Sequence, residues 1–241
     1  MGGFSVKRAL VLGGTGSIGS SICRTLVRGG AKVAFTCFEK EAAAKSLAEE
    51  IGAVGFARCD FNHPESIGGA IRELGIALGG IDALISAVGS GGARFNLKLG
   101  ELTADDIDRA FTGNARGVIL ACQAARSYLA AGNIVVLGSM DGVKSVPSPI
   151  AFAAAKSALK GMVESMSKEL GEFDIRVNLV VPGIVEGGAS VHLSADLRER
   201  YLKHSSAKRL ARPSEIAEVV SWFALENTYV TGQSILLNGG L

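Results

Sequence analysis

Short β-branched or aliphatic runs alternate along the chain with longer segments of helical period, a pattern that predicts a doubly wound parallel α/β sheet with helices on both faces. Two further observations support this class. The runs are too continuously apolar for a sheet with one solvated face. The first of them also opens directly into a glycine-rich turn followed by a helical segment, the arrangement such sheets use to receive an anion.

Strands are expected at 8–12, 32–36, 55–58, 83–86, 133–137, 176–181 and 234–237, each a compact apolar run of strand length. Helices are expected near 18–28, 41–51, 65–78, 103–130, 150–171 and 213–225, where apolar residues recur at helical spacing. No internal repeat, low-complexity stretch or linker interrupts the series, so residues 1–241 read as one domain. Segment 184–212 has no strand signal and carries Gly187-Gly188 as a candidate hinge. It reads as an excursion over the carboxyl edge of the sheet, a candidate substrate lid.

Composition excludes several classes. With 48% hydrophobic residues and a formal charge of +2, the 241-residue chain is neither disordered nor a general polyanion binder. Aromatics at 6% supply no stacking platform for single-stranded nucleic acid. Cys23, Cys37, Cys59 and Cys122 form no CxxC pair, which argues against zinc or disulfides and for small buried thiols in the cytoplasm. No run is long enough to span a membrane, the N-terminus is a poor signal peptide, and Val6 spoils the myristoylation pattern begun by Met1-Gly2. His63, His192 and His204 read as surface or lid histidines, and no spacing suggests a metal site. Glycine is in surplus, 32 residues or about 13% against roughly 7% in ordinary proteins.

Part of that surplus lies in Gly13-Gly14-Thr15-Gly16-Ser17-Ile18-Gly19, where Gly14, Gly16 and Gly19 satisfy G-x-G-x-x-G and Gly13, Gly16 and Gly19 a G-x-x-G-x-x-G spacing. Without Cβ atoms the backbone turns tightly and approaches a pyrophosphate, which the following helix N-terminus receives with open N–H groups. A dinucleotide is therefore expected here. An NAD site usually ends its second strand on a carboxylate that accepts from the ribose 2′-OH. This strand ends Phe35-Thr36-Cys37-Phe38, Glu39 falls beyond it, and Lys40 could meet a 2′-phosphate, which favours NADP(H) over NAD(H).

From here the residues resemble the short-chain dehydrogenase/reductase family over nearly the whole chain, and within it the 3-oxoacyl-carrier-protein reductase-like group. The likeness rests on Cys59-Asp60, Ser86-Ala87-Val88-Gly89, Asn114, Ser139, Lys156 after Phe152-Ala153-Ala154-Ala155, Arg176-Val177-Asn178 with Pro182-Gly183, Thr231-Gly232-Gln233 and Asn238-Gly239-Gly240. The resemblance implies a single Rossmann-like domain, hydride transfer between a nicotinamide cofactor and a carbonyl, and a homodimer or homotetramer. It implies cofactor contacts at Gly13, Thr15, Gly16, Ser17, Ile18, Gly19, Phe38, Asp60, Phe61, Ala87, Gly89, Lys156, Pro182, Gly183 and Val185. Asn114, Ser139, position 152 and Lys156 would form the catalytic set.

The chain departs from the pattern at two places. Ser86 and Ala87 replace asparagines of the turn, and Phe152 stands where the family has its catalytic tyrosine, 13 positions after Ser139 and four before Lys156. In the family the lysine holds the ribose hydroxyls and lowers the phenol pKa, the phenol protonates the carbonyl oxygen, and the serine hydrogen-bonds that oxygen. Phenylalanine keeps the ring and deletes the donor. Three accounts stand: an altered ketoreductase that binds without turning over, a variant using Ser139, a water or Tyr201 as donor, or a non-catalytic dinucleotide-binding scaffold or regulator.

The lid candidate collects Arg198, Arg200, Lys203, Lys208, Arg209 and Arg212 against Glu186, Asp196 and Glu199, a surface for an acidic carrier or simply a solvated helix. Val191, Leu193, Leu197, Leu202 and Leu210 would contact an acyl or polyketide-like ligand. Ala151, Ala154, Ala155 and Ala158 would let helices approach closely, between subunits or within one chain.

Overall fold

A computed structural model describes residues 6–89, 97–144 and 146–241, without the side chains of Ala189 and His192. Met1-Gly2 and the Gly91-Gly92 pair therefore lie outside the described residues, as does the side chain of His192.

Seven strands, β1 (Arg8–Leu12), β2 (Lys32–Cys37), β3 (Gly55–Arg58), β4 (Ala83–Ser86), β5 (Gly132–Leu137), β6 (Ile175–Pro182) and β7 (Ser234–Leu237), form one sheet. Their order is β3-β2-β1-β4-β5-β6-β7 and every neighbouring pair is parallel. The direction of the winding reverses between β1 and β4, which leaves a crevice at their carboxyl ends.

The helices are α1 (Ser17–Arg28), α2 (Glu41–Ile51), α3 (Pro64–Leu78), α4 (Ala104–Phe111), α5 (Gly117–Ala125), α6 (Ile150–Glu169), α7 (Ala195–His204) and α8 (Pro213–Leu225). Successive strand residues face opposite sides. Leu10 and Leu12 of β1 pack with Ile71 and Leu74 of α3, Val118 of α5 and Leu159 of α6. Ala9 and Val11 pack on the other side with Ile22 and Leu26 of α1 and Val220 and Phe223 of α8. Helices thus cover both faces, as the apolar strand runs require.

One element differs from the sequence reading, and a helix offered as an alternative for segment 184–212 is present. The helix expected over 103–130 is divided. After α4, Thr112–Arg116 make a π-helical turn, α5 follows, and Arg126–Tyr128 tighten to 3₁₀ geometry. The Asn114 side chain donates to the Ala110 carbonyl at 3.0 Å, competing for an acceptor on the turn before it. Segment 184–212 contains α7, whose first turn is capped by Ser194, because apolar contacts of Tyr201 and Leu202 with Ile184 and Leu210 stabilise a helix there. No helix of the described residues is long and apolar enough to cross a membrane.

Candidate active site

The glycine-rich turn is fixed by packing at each end. Gly13 adopts φ +82°, its N–H donates to Thr36 Oγ1 at 3.0 Å, and Gly14 N–H donates to the Thr36 carbonyl at 2.8 Å. A Cβ on Gly19 would collide with the Gly13 carbonyl oxygen, whereas one on Gly16 would meet that oxygen only at 3.4 Å. Gly19→Ala is therefore expected to destabilise the chain by about 1–3 kcal/mol, and Gly16→Ala far less, as read from thermal midpoints. No side chain caps α1, whose N-cap is Gly16, so its first turn keeps open N–H groups and the positive end of its dipole for an anion. These are the features a pyrophosphate needs.

Around this turn the expected cofactor residues converge on the carboxyl edge of the sheet. Thr15, Ser17 and Ile18 belong to the loop and first turn. Ala87 N–H donates to the Leu12 carbonyl at 2.9 Å, which holds the β4 turn against β1. Gly13, Phe38, Asp60, Phe61, Gly89 and Phe152 line one cavity of about 510 Å³. Asp60 accepts from the backbone and side chain of Asn62. The Phe61 ring itself is buried in the core, against Gly117 of α5. Arg58, paired in register with Cys37, stacks its guanidinium 5.3 Å from the Phe38 ring centroid. The sequence reading named Lys40 as a cation at this edge and missed Arg58, which only strand pairing brings there.

Pro182 ends β6, and a Cβ on Gly183 would strike the Tyr201 hydroxyl. Val185 bridges to Ala211, and a Cβ on Gly187 would lie 3.4 Å from Ser17 Oγ. The start of segment 184–212 therefore lies over the first turn of α1. Several of its basic side chains are already matched: Arg200 with Asp196 at 3.0 Å, and Arg209 and Arg212 with Glu215. The basic surface is weaker than the residue count suggests.

Two of the proposed catalytic residues, Asn114 and Lys156, meet beside Gly89, and Phe152 lines the same cavity as Gly89. A Cβ on Gly89 would lie 3.2 Å from Lys156 Nζ and 3.7 Å from Asn114 Oδ1. Lys156 Nζ donates at 3.4 Å to both the Val88 and Leu137 carbonyls and lies 5.8 Å from the Phe152 ring centroid. Burial pulls the Lys156 ammonium down to about 8, against an opposing pull from Asp141. Ser139 Oγ donates to Asp141 Oδ2 at 2.9 Å. Burial raises the Asp141 carboxyl, while Ser139 and Lys156 pull it down. Asp141 was not singled out in the sequence; an acid two residues after Ser139, on the turn leaving β5, was the available signal.

None of the three tyrosines replaces the missing phenol. Tyr201 is buried and donates to the Asn238 carbonyl at 2.9 Å, which corrects its candidacy as a donor. Tyr128 packs on Gly75, and Tyr229 is 92% exposed. Ser86 Oγ, where the family turn has an asparagine, is buried and has no hydrogen-bond partner among the described residues. The later landmarks knit β6 to β7: Asn178 donates to the Val230 carbonyl and accepts from Gln233 N–H, while Val177 N–H donates to Thr231 Oγ1. No group of three or more metal-ligating side chains occurs among the described residues.

A parallel sheet of this order, with an uncapped glycine turn at its reversal and a buried lysine beside an asparagine, defines a dinucleotide-binding oxidoreductase architecture. The family model described as enoyl-(acyl carrier protein) reductase matches residues 13–241, and the chain belongs to the short-chain dehydrogenase/reductase family. It is 35% identical over 242 residues to the cyclic-di-GMP-binding biofilm dispersal mediator protein of Escherichia coli (strain K12), covering 99% of this chain and 98% of that one. It is 31% identical over 240 residues to the 3-oxoacyl-(acyl-carrier-protein) reductase FabG of Salmonella typhimurium, covering 99% and 98%. The crystal structure of BdcA in complex with NADPH superimposes with a TM-score of 0.88 at 32% identity, covering 100% of this chain and 96% of that one.

Proposed function

We propose that this chain is an NADP(H)-binding carbonyl reductase, acting on a 3-oxoacyl or polyketide-like ketone, with turnover depressed by Phe152. The convergence of Lys156 Nζ and Asn114 Oδ1 on Gly89, beside the glycine turn, carries this reading. Such a cofactor supplies hydride when bound. The chain's own residues would hold its pyrophosphate on Gly16–Gly19 and its ribose on Lys156, and would face the substrate oxygen with Ser139.

Arg58 and Lys40 at the β2–β3 edge support a 2′-phosphate, and the relatives named above include an NADPH complex. Exposed Phe111 and Ile119, Trp222 of α8 and Leu236 of the edge strand β7 fit the self-association that the family resemblance implies. Free buried cysteines fit a cytoplasmic setting.

A second reading, a non-catalytic dinucleotide binder, is favoured by Phe152 itself and by the name of the Escherichia coli relative. Calorimetric titration with NADPH, NADH and cyclic diguanylate, together with an assay of NADPH oxidation on ketone substrates, separates the two. NADPH is expected to bind at least about tenfold tighter than NADH, with Arg58→Ala narrowing the gap, since one charge-assisted hydrogen bond contributes about 1.5–3 kcal/mol. Saturable cyclic diguanylate binding without NADPH binding would overturn the reductase reading.

A further inference from the structure

We propose that Asp141 is the proton reservoir of the site, relaying through the Ser139 hydroxyl the proton that position 152 does not supply. The proposal rests on the reductase reading and names the donor that reading lacks.

Three observations carry it. First, the carboxyl and the hydroxyl are in direct contact, Ser139 Oγ to Asp141 Oδ2 at 2.9 Å. Second, their turn is clamped. Gly142 N–H donates to the Ser139 carbonyl at 3.0 Å, and Ser157 Oγ of α6 donates to the Gly142 carbonyl at 2.7 Å. A Cβ on Gly142 would lie 2.6 Å from the Lys156 backbone, so the acid and Lys156 keep one geometry. Third, neither aromatic candidate can donate: Phe152 has no hydroxyl, and the Tyr201 hydroxyl is held by the Asn238 carbonyl.

The direction of one hydrogen bond decides what the pair can do. With Asp141 ionised, the Ser139 proton points at the carboxylate and away from substrate. With Asp141 protonated, the carboxylic acid donates to Ser139 Oγ, and the serine proton is released toward a carbonyl oxygen. In the reduction, the carbonyl carbon gains a hydride from the reduced nicotinamide and the π pair moves to oxygen. The Ser139 O–H bond breaks toward that oxygen as the Asp141 O–H bond breaks toward Ser139 Oγ. The products are the alcohol, the oxidised cofactor, an intact serine and an ionised Asp141, which regains its proton from solvent through its partly exposed side. Burial favours the acid form, and Lys156 on α6 is the charged group facing it that favours the carboxylate. Asp141 is a positioning and relay residue rather than a direct contact of the substrate.

The experiment measures NADPH-dependent reduction of ethyl acetoacetate and acetoacetyl-coenzyme A across pH. Four proteins are compared: the unaltered chain, Asp141→Asn, Phe152→Tyr, and the double variant carrying both changes. Infrared difference spectra of the cofactor-free protein, unaltered minus Asp141→Asn, report the carboxylic acid band independently of turnover. The expected results are an activity that falls as Asp141 ionises and a loss of about 10²-fold or more in Asp141→Asn with Phe152 retained. In the Phe152→Tyr background, where a phenol is supplied, the same change should cost less than about tenfold and leave the shape of the pH profile unaltered. Equal losses in both backgrounds, an unchanged pH profile in Asp141→Asn, or an Asp141 ionised wherever turnover occurs would overturn the relay while leaving the reductase reading. Turnover in Phe152→Tyr alone would do the same. No turnover in any protein, with NADPH bound, would overturn the reductase reading and the relay with it.

Discussion

Phe152→Tyr is expected to raise the rate of NADPH-dependent ketone reduction by about 10²–10⁴-fold, the usual contribution of a positioned general acid. The ring already occupies the required slot on α6, one helical turn before Lys156 and 5.8 Å from its Nζ. A hydroxyl at the para position would extend into the cavity that Phe152 lines with Gly89 and Ile150. The nearby ammonium would favour the phenolate and so lower the phenol pKa toward the working range. Initial rates under saturating NADPH check this: kcat should rise with KM little changed, because the new group acts in the transition state. A protein that binds NADPH equally well and gains no rate would show that position 152 does not face the reacting carbonyl.

Lys156→Met is expected to move stability and activity in opposite directions. Burial lowers the Lys156 ammonium from its ordinary 10.5 to about 8. Below about pH 8 both folded and unfolded chains carry the charge, and the folded state bears the full desolvation cost. Between about 8 and 10.5 the unfolded chain holds a proton that the folded chain has shed, so stability rises with pH across that window. Removing the charge should therefore stabilise the cofactor-free protein at neutral pH by about 3 kcal/mol at most, or about 6–12 °C in thermal midpoint for a chain of this size. The gain should shrink above pH 8. Turnover should be lost, because the group proposed to hold the ribose is gone. Calorimetry of both proteins across the alkaline range checks the sign, and a Lys156→Met protein less stable at neutral pH would refute the account of a strained buried cation.

Strand positions were legible because burial on both faces leaves an unbroken apolar run, and all seven expected runs overlap a strand. The phosphate turn was legible because steric exclusion acts locally: only glycine fits at Gly19, and the spacing records it. What escaped depends on contacts distant in sequence. Arg58 reaches the Phe38 ring through strand pairing, and Tyr201 loses its hydroxyl to a carbonyl 37 residues away. Asp141 lay beside a residue already chosen, yet its relation to Lys156 requires the packing of the β5 turn on α6. The break in the long helix also escaped, since Asn114 satisfies helical periodicity on either side.

That break has a consequence for how the chain tolerates change. A π turn accommodates one residue more than the α-helical count by widening, so the extra residue is absorbed locally and the faces of α4 and α5 stay in phase. Losing a single residue within 112–116 would let the turn close to ordinary α geometry with α5 kept in phase, whereas the same loss in an unbroken α-helix turns everything beyond it by about 100°. Val118, Ala121 and Cys122 would stay in the core and Ile119 would stay exposed. The extra residue is thus absorbed where the helix presents an amide to the site, and the apolar stripe beyond it keeps to the sheet.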